Sequence, residues 1–233
     1  MFHATLSLLR MNYGPAPGGT FGGGAAPPHL VPAFMRHKQT RQLIAMEAAR
    51  LMAEHGIRDY YLAKRKAAGN LNVPATQLMP GNDEIEQALA EYQRLFQAQT
   101  QPRRLRRLRE AALEAMRFFA RFNARLVGSV LSGTAHEHSD VNLHVFSDSP
   151  EEVGLFLLHE DIPYEILQRQ LRVDAEGPSV SYPVYRFLAD DIAIDLTVFP
   201  LKGERQAPRS PVDGKPMQRA SLTTVLKLLE TSP

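Results

Sequence analysis

The hydrophobic period of this chain changes once, near Asn123, and that change restricts it to an architecture in which helices come first and a sheet follows. Before the change, apolar residues recur at helical spacing. Over 36–55, Leu43, Ile44, Ala48, Leu51 and Met52 form one stripe, and Gly56 stands where a left-handed residue would end the helix. A second helix over 58–68 carries Lys64, Arg65 and Lys66 and stops at Gly69-Asn70. Pro74 and Pro80 punctuate the next loop, and Asn82 or Asp83 is the expected N-cap of a third helix with Ile85, Leu89, Tyr92 and Phe96 on its apolar face. Pro102 suits the first turn of a fourth, whose stripe is Leu105, Leu108, Ala112, Met116 and Phe119. Beyond Asn123 the period is two. Strands are predicted at 124–127, 141–146, 164–173, 181–188 and 192–199, with one helix at 151–159 and a last one at 221–230 capped by Ser221. Ala189-Asp190-Asp191 reads as a hairpin turn between the last two strands. The expectation is an α+β protein: a helical region over 36–120, then a mixed β-sheet domain with flanking helices over 121–233.

Residues 12–33 are rich in Gly, Pro and Ala and have neither period, so 1–34 reads as a flexible arm. Helical patterning starts directly after Met35, which leaves two starts open for the fold-bearing chain, Met1 and Met35. With no cysteine, the sequence offers neither disulfides, nor thiolate metal ligands, nor a cysteine nucleophile, as expected of a cytoplasmic protein. No apolar run reaches the ~18 residues of a membrane span, and the opening segment 2–9 is too short for a secretory signal and is broken by Arg10. A formal charge of +2 is too small by itself to announce a nucleic-acid partner.

The chemistry-bearing stretch is 126–146, LVGSVLSGTAHEHSDVNLHVF. A strand that ends in Gly128-Ser129 and turns at once into a short helix brings backbone N–H groups and a hydroxyl close to a phosphate. On the next strand, alternation puts Asp140, Asn142 and His144 on one face and Val141, Leu143 and Val145 on the core side. On the strand 192–199, Ile192, Ile194, Leu196 and Val198 face the core while Asp195 and Thr197 face the other way. If the two strands are neighbours, Asp195 stands beside Asp140 and Asn142. Facing carboxylates repel unless a cation or a proton intervenes, which is why such clusters hold Mg²⁺ in phosphoryl and nucleotidyl transfer.

This order of parts resembles the nucleotidyltransferase superfamily, which includes polymerase-beta-like enzymes, CCA-adding enzymes and antibiotic nucleotidyltransferases. The family pattern is Gly-Ser, about ten residues, Asp-x-Asp or Asp-x-Glu on a strand, and a third carboxylate on a later strand; here the parts are Gly128-Ser129, Asp140-Val141-Asn142 and Asp195. The resemblance implies a nucleotidyltransferase-like fold, Asp140 and Asp195 as catalytic metal-holding residues, and Asn142 as an auxiliary ligand. It also implies Mg²⁺ as cofactor and transfer of a nucleotidyl group from a nucleoside triphosphate to a small-molecule, protein or RNA acceptor. Asn142 departs from the pattern, since an amide oxygen can coordinate a hard cation but brings no charge. That departure sets up a second reading, a catalytically inactive nucleotide-binding or scaffold module of the same fold. No Gly-x-x-x-x-Gly-Lys-Ser/Thr run occurs, so ligase chemistry built on that phosphate loop is not supported.

Other candidates are weaker. Lys215 and Arg219, near the loop 210–216, are placed in sequence to reach back over the corner as nucleotide-binding residues. Arg103, Arg104, Arg106, Arg107 and Arg109 crowd one helix and would suit a basic RNA-binding adaptor, but no aromatic residues interleave with them, and a solvated face is the simpler reading. His136, His138 and Asp140 alternate as zinc ligands could, although a polar loop explains them better, and His144 reads as a satisfied strand histidine.

Overall fold

The computed structural model describes residues 33–74, 78–136, 139–174 and 176–231; the arm predicted at 1–34 therefore lies almost entirely outside the described residues, as does His138. Helices α1 (Ala33–His55), α2 (Tyr60–Asn70) and α3 (Asn82–Phe96) pack around their own core of Ile44, Ala48, Met52, Ala63, Ala67, Ile85 and Leu89. Alanines at the α1–α2 contact let the two backbones approach closely. Gly56, at φ +65°, ends α1 as expected. The Asp59 carboxylate caps α2 by accepting the Leu62 N–H at 2.7 Å. On α3 the Glu84 carboxylate reaches back to the Gly81 N–H at 2.6 Å, so the cap is Gly81, one residue before the expected Asn82.

Helix α4 (Gln101–Phe118) begins with Pro102 in its first turn and belongs to a second, larger core. Leu108, Ala112 and Met116, continued by Phe119 and Phe122, pack with the sheet rather than with α1–α3. The division between the two cores thus falls ahead of α4, whereas the helical period alone groups α4 with the helices before it.

The sheet comprises β1 (Arg125–Val127), β2 (Val141–Phe146), β3 (Glu165–Arg172), β4 (Ser179–Ala189) and β5 (Ile192–Phe199), in the spatial order β1-β2-β5-β4-β3. It is mixed: β2 and β5 run parallel and the other pairs antiparallel. Short helix α5 (Ser129–Ser132) follows β1, α6 (Glu151–His159) follows β2, and α7 (Leu222–Thr231) closes the described chain, with the Ser221 hydroxyl accepting the Thr224 N–H at 3.3 Å. Val141, Leu143, Val145, Ile194, Leu196 and Val198 are buried in one face, each stabilising the fold by about 1.5–3 kcal/mol relative to exposure. The alternation read from the sequence is therefore the alternation in the sheet, and it leaves Asn142, His144, Asp195 and Thr197 on the opposite face.

Candidate functional site

Gly128 ends β1 at φ +74°, ψ −156°, a conformation that side chains resist. A Cβ there would meet nothing nearer than Asn142 at 3.9 Å, so backbone conformation and not crowding selects glycine. Ser129 follows at the start of α5. Asp140 immediately precedes β2, Asn142 lies on it, and the parallel register sets Asn142 directly beside Asp195 on β5. Gly128, Ser129, Asp140, Asn142 and Asp195 line one cleft of about 390 Å³. Its far wall comes from the helical unit and includes Arg58, Tyr60 and Glu86.

Lys215 and Arg219 do not line this cleft; the loop that carries them contributes Pro211 and Met217 instead. Lys215 is exposed. The Arg219 guanidinium lies over the rings of Phe146 and Phe199, donates from Nε to His144 Nδ1 at 3.0 Å, and donates from Nη1 to the Gly203 carbonyl at 2.6 Å. Burial lowers its pKa to about 10. Burial, reinforced by Arg219 and Arg169, holds the His144 imidazole well below its ordinary pKa, so it stays neutral and accepts the hydrogen bond.

Three arginines that motif reasoning does not single out occupy the carboxylate corner. Asp195, only 1% exposed, accepts Arg186 Nε on Oδ1 at 2.7 Å and Arg186 Nη2 on Oδ2 at 2.9 Å, a bidentate pair, while Arg169 Nη2 reaches Oδ2 at 2.7 Å. Arg169 Nη1 also donates to Asn142 Oδ1 at 2.9 Å and to Thr197 Oγ1 at 3.2 Å. Arg186 Nη2 extends to Asp140 Oδ2 at 3.2 Å, and Arg58, from the loop between α1 and α2, pairs with the same oxygen. Burial raises the Asp140 pKa and the neighbouring Asp195 adds to this, against the lowering influence of Arg58 and Arg186.

The opposite wall is also hydrogen-bonded. The Tyr60 phenol and the Thr134 hydroxyl each donate to one oxygen of Glu86. Gln93 Nε2 donates to the Thr134 carbonyl at 2.9 Å and Gln101 Nε2 to that of Gly133 at 2.8 Å. Glu86 and Gln93 thereby tie the loop after α5 to the helical unit, and Gln101 ties it to α4. The arginine run on α4, by contrast, is divided among structural tasks: Arg106 pairs with Glu110, Arg107 with Asp191, and Arg109 is buried with Nε donating to the Val130 carbonyl at 3.2 Å. Arg103, Arg106 and Arg107 remain exposed on α4.

Residues 105–196 match the family model of the nucleotidyltransferase domain. The match is to a nucleotidyltransferase domain and covers under half of the chain. The matched segment runs from α4 through Asp195, so it spans the Gly-Ser turn and all three positions of the corner. A crystal structure of the Cid1 poly(U) polymerase with MgGTP bound is similar at 20% identity, with a TM-score of 0.28, over 41% of this chain and 32% of that one. The similarity spans about a third of that polymerase's length. No curated protein matches the chain.

The nucleotidyltransferase fold implies a divalent cation, and the residues of this corner do not fit one. Both Asp195 oxygens, Asp140 Oδ2 and Asn142 Oδ1 are engaged by guanidinium groups. A cation placed among them would face Arg186 at contact range. Among the described residues no group of three or more His, Cys, Asp or Glu side chains could hold a metal ion. Nor does any described helix have the length and apolarity to cross a membrane.

Proposed function

We propose that this protein is a nucleotide-binding module built on the nucleotidyltransferase fold, in which the transfer site is retained as a pocket and metal-dependent catalysis is not. One observation carries the reading: Arg186 bridges Asp140 and Asp195 in the cleft that also contains the Gly128-Ser129 turn. The carboxylate repulsion that would otherwise recruit Mg²⁺ is resolved from within the protein. In this reading the nucleotide lies between the Gly-Ser turn and the far wall, with the Ser129 hydroxyl and the backbone beside it toward the phosphates. The helical unit, which supplies Arg58, Tyr60 and Glu86, both completes the pocket and offers a surface for a partner.

The test is titration of the full chain with ATP, GTP, CTP and UTP, alongside an assay for pyrophosphate release in Mg²⁺. Binding of at least one nucleotide without pyrophosphate release is expected. Ser129→Asp, which sets a carboxylate against the phosphates, should weaken binding by roughly tenfold or more. Pyrophosphate release that depends on Asp140 would establish active Mg²⁺-dependent nucleotidyl transfer to an acceptor instead, and failure of every nucleotide to bind would refute the module reading.

A further inference from the structure

The corner carries an excess of positive charge where the nucleotidyltransferase pattern calls for an excess of negative charge. Asp140 and Asp195 contribute two carboxylates; Arg58, Arg169 and Arg186 contribute three guanidinium groups, and Asn142 is neutral. Glu86 makes the cleft as a whole electrically balanced, but its two oxygens are occupied by Tyr60 and Thr134 on the other wall. The imbalance is therefore local to the carboxylate corner, where Asn142, held by Arg169, also lies against Gly128. The side chains of Arg169 and Arg186 remain about a third exposed and that of Arg58 about half exposed.

We infer that this corner binds the phosphates of a metal-free nucleotide, with Arg58, Arg169 and Arg186 supplying the positive charge that a divalent cation supplies elsewhere. The inference rests on the nucleotide-binding reading above and specifies the ionic form of the ligand. Guanidinium forks match phosphate oxygens as well as they match carboxylates, and a phosphate chain carries more charge than the two aspartates it would compete with. Bound Mg²⁺ takes two units of negative charge from that chain and sets a cation against three others. Magnesium should therefore weaken binding here, the reverse of its effect at a metal-dependent transfer site. Arg58 comes from the helical unit while the other two come from the sheet, so the ligand would also join the two cores.

The experiment is isothermal titration of the full chain with the four nucleoside triphosphates and with inorganic triphosphate, each in EDTA and in saturating Mg²⁺. Wild type, Arg58→Ala and Arg186→Met are compared, with thermal unfolding of each. Binding in EDTA, weakened roughly tenfold by Mg²⁺ and by Arg58→Ala, is expected. Binding that requires Mg²⁺, or EDTA affinity unchanged in Arg58→Ala, overturns the inference while leaving the nucleotide-binding reading in place. Absence of nucleotide binding in both conditions overturns both. Should Arg186→Met fold poorly, the half-exposed Arg58 still decides the matter.

Discussion

Asp195→Asn separates a corner held by arginines from a corner waiting for a metal, because the two predict opposite signs for stability without metal. In the structure the Asp195 carboxylate accepts three guanidinium N–H bonds at 2.7–2.9 Å while 1% exposed. The amide is nearly isosteric but replaces one acceptor oxygen with a donor NH₂ that must face another donor. Breaking a buried ion pair by altering one partner costs about 3–5 kcal/mol. Water can reach Arg169 and Arg186, each about a third exposed, so the lower end applies and about 3 kcal/mol is expected. For a chain of this size that lowers the melting temperature by about 6–12 °C. The assay is thermal and urea unfolding in EDTA, with Asp140→Asn alongside. Asp140 should show a smaller loss, since burial and Asp195 already disfavour its charge. If Asp195 instead chiefly repelled Asp140, removing its charge would leave stability unchanged or raise it. Either result would refute the arginine-held corner.

His144 makes stability depend on pH. Its folded pKa lies well below the ordinary value because of burial, then Arg219 and Arg169. The unfolded chain therefore takes up a proton first as pH falls, so this contribution is present above about pH 6.5 and declines below it by about 1.4 kcal/mol per pH unit until the folded pKa is reached. Urea unfolding between pH 7.5 and 5 should show that slope, and His144→Gln should flatten it. Two glycines should respond to alanine in opposite directions. At Gly154 on α6 a Cβ would meet Tyr185 at 2.8 Å and Tyr164 at 3.0 Å, and Gly154→Ala should cost about 1–3 kcal/mol of unfolding free energy. At Gly69 on α2 nothing lies within 4 Å, and Gly69→Ala should add about 0.5–1 kcal/mol in the same measurement.

Much of this architecture could be read from the sequence, because the features concerned are local. Helix α6 and strands β2 and β5 fall on the predicted residues, since alternation over six or eight positions and clear turn residues leave little choice. Gly128, Ser129, Asp140 and Asn142 lie within one short segment, and Asp195 needed only that β2 and β5 be neighbours, which they are. Arg186 was within reach of the same reasoning. It and Asp195 are equally distant from the Asp190-Asp191 turn, so a two-residue hairpin places them opposite each other. Arg169 could not be found in that way, because its position depends on β4 lying between β3 and β5 and on a side chain long enough to reach over it. Arg58 comes from the loop between two helices of a different core. Periodicity and turn chemistry, which act between near neighbours in the chain, determined the elements and the row of polar residues on the sheet. Which charges meet across that row is a property of strand order and of how the helical unit sits against it. Only the tertiary structure decides that, and here it puts arginines where the motif by itself calls for a metal.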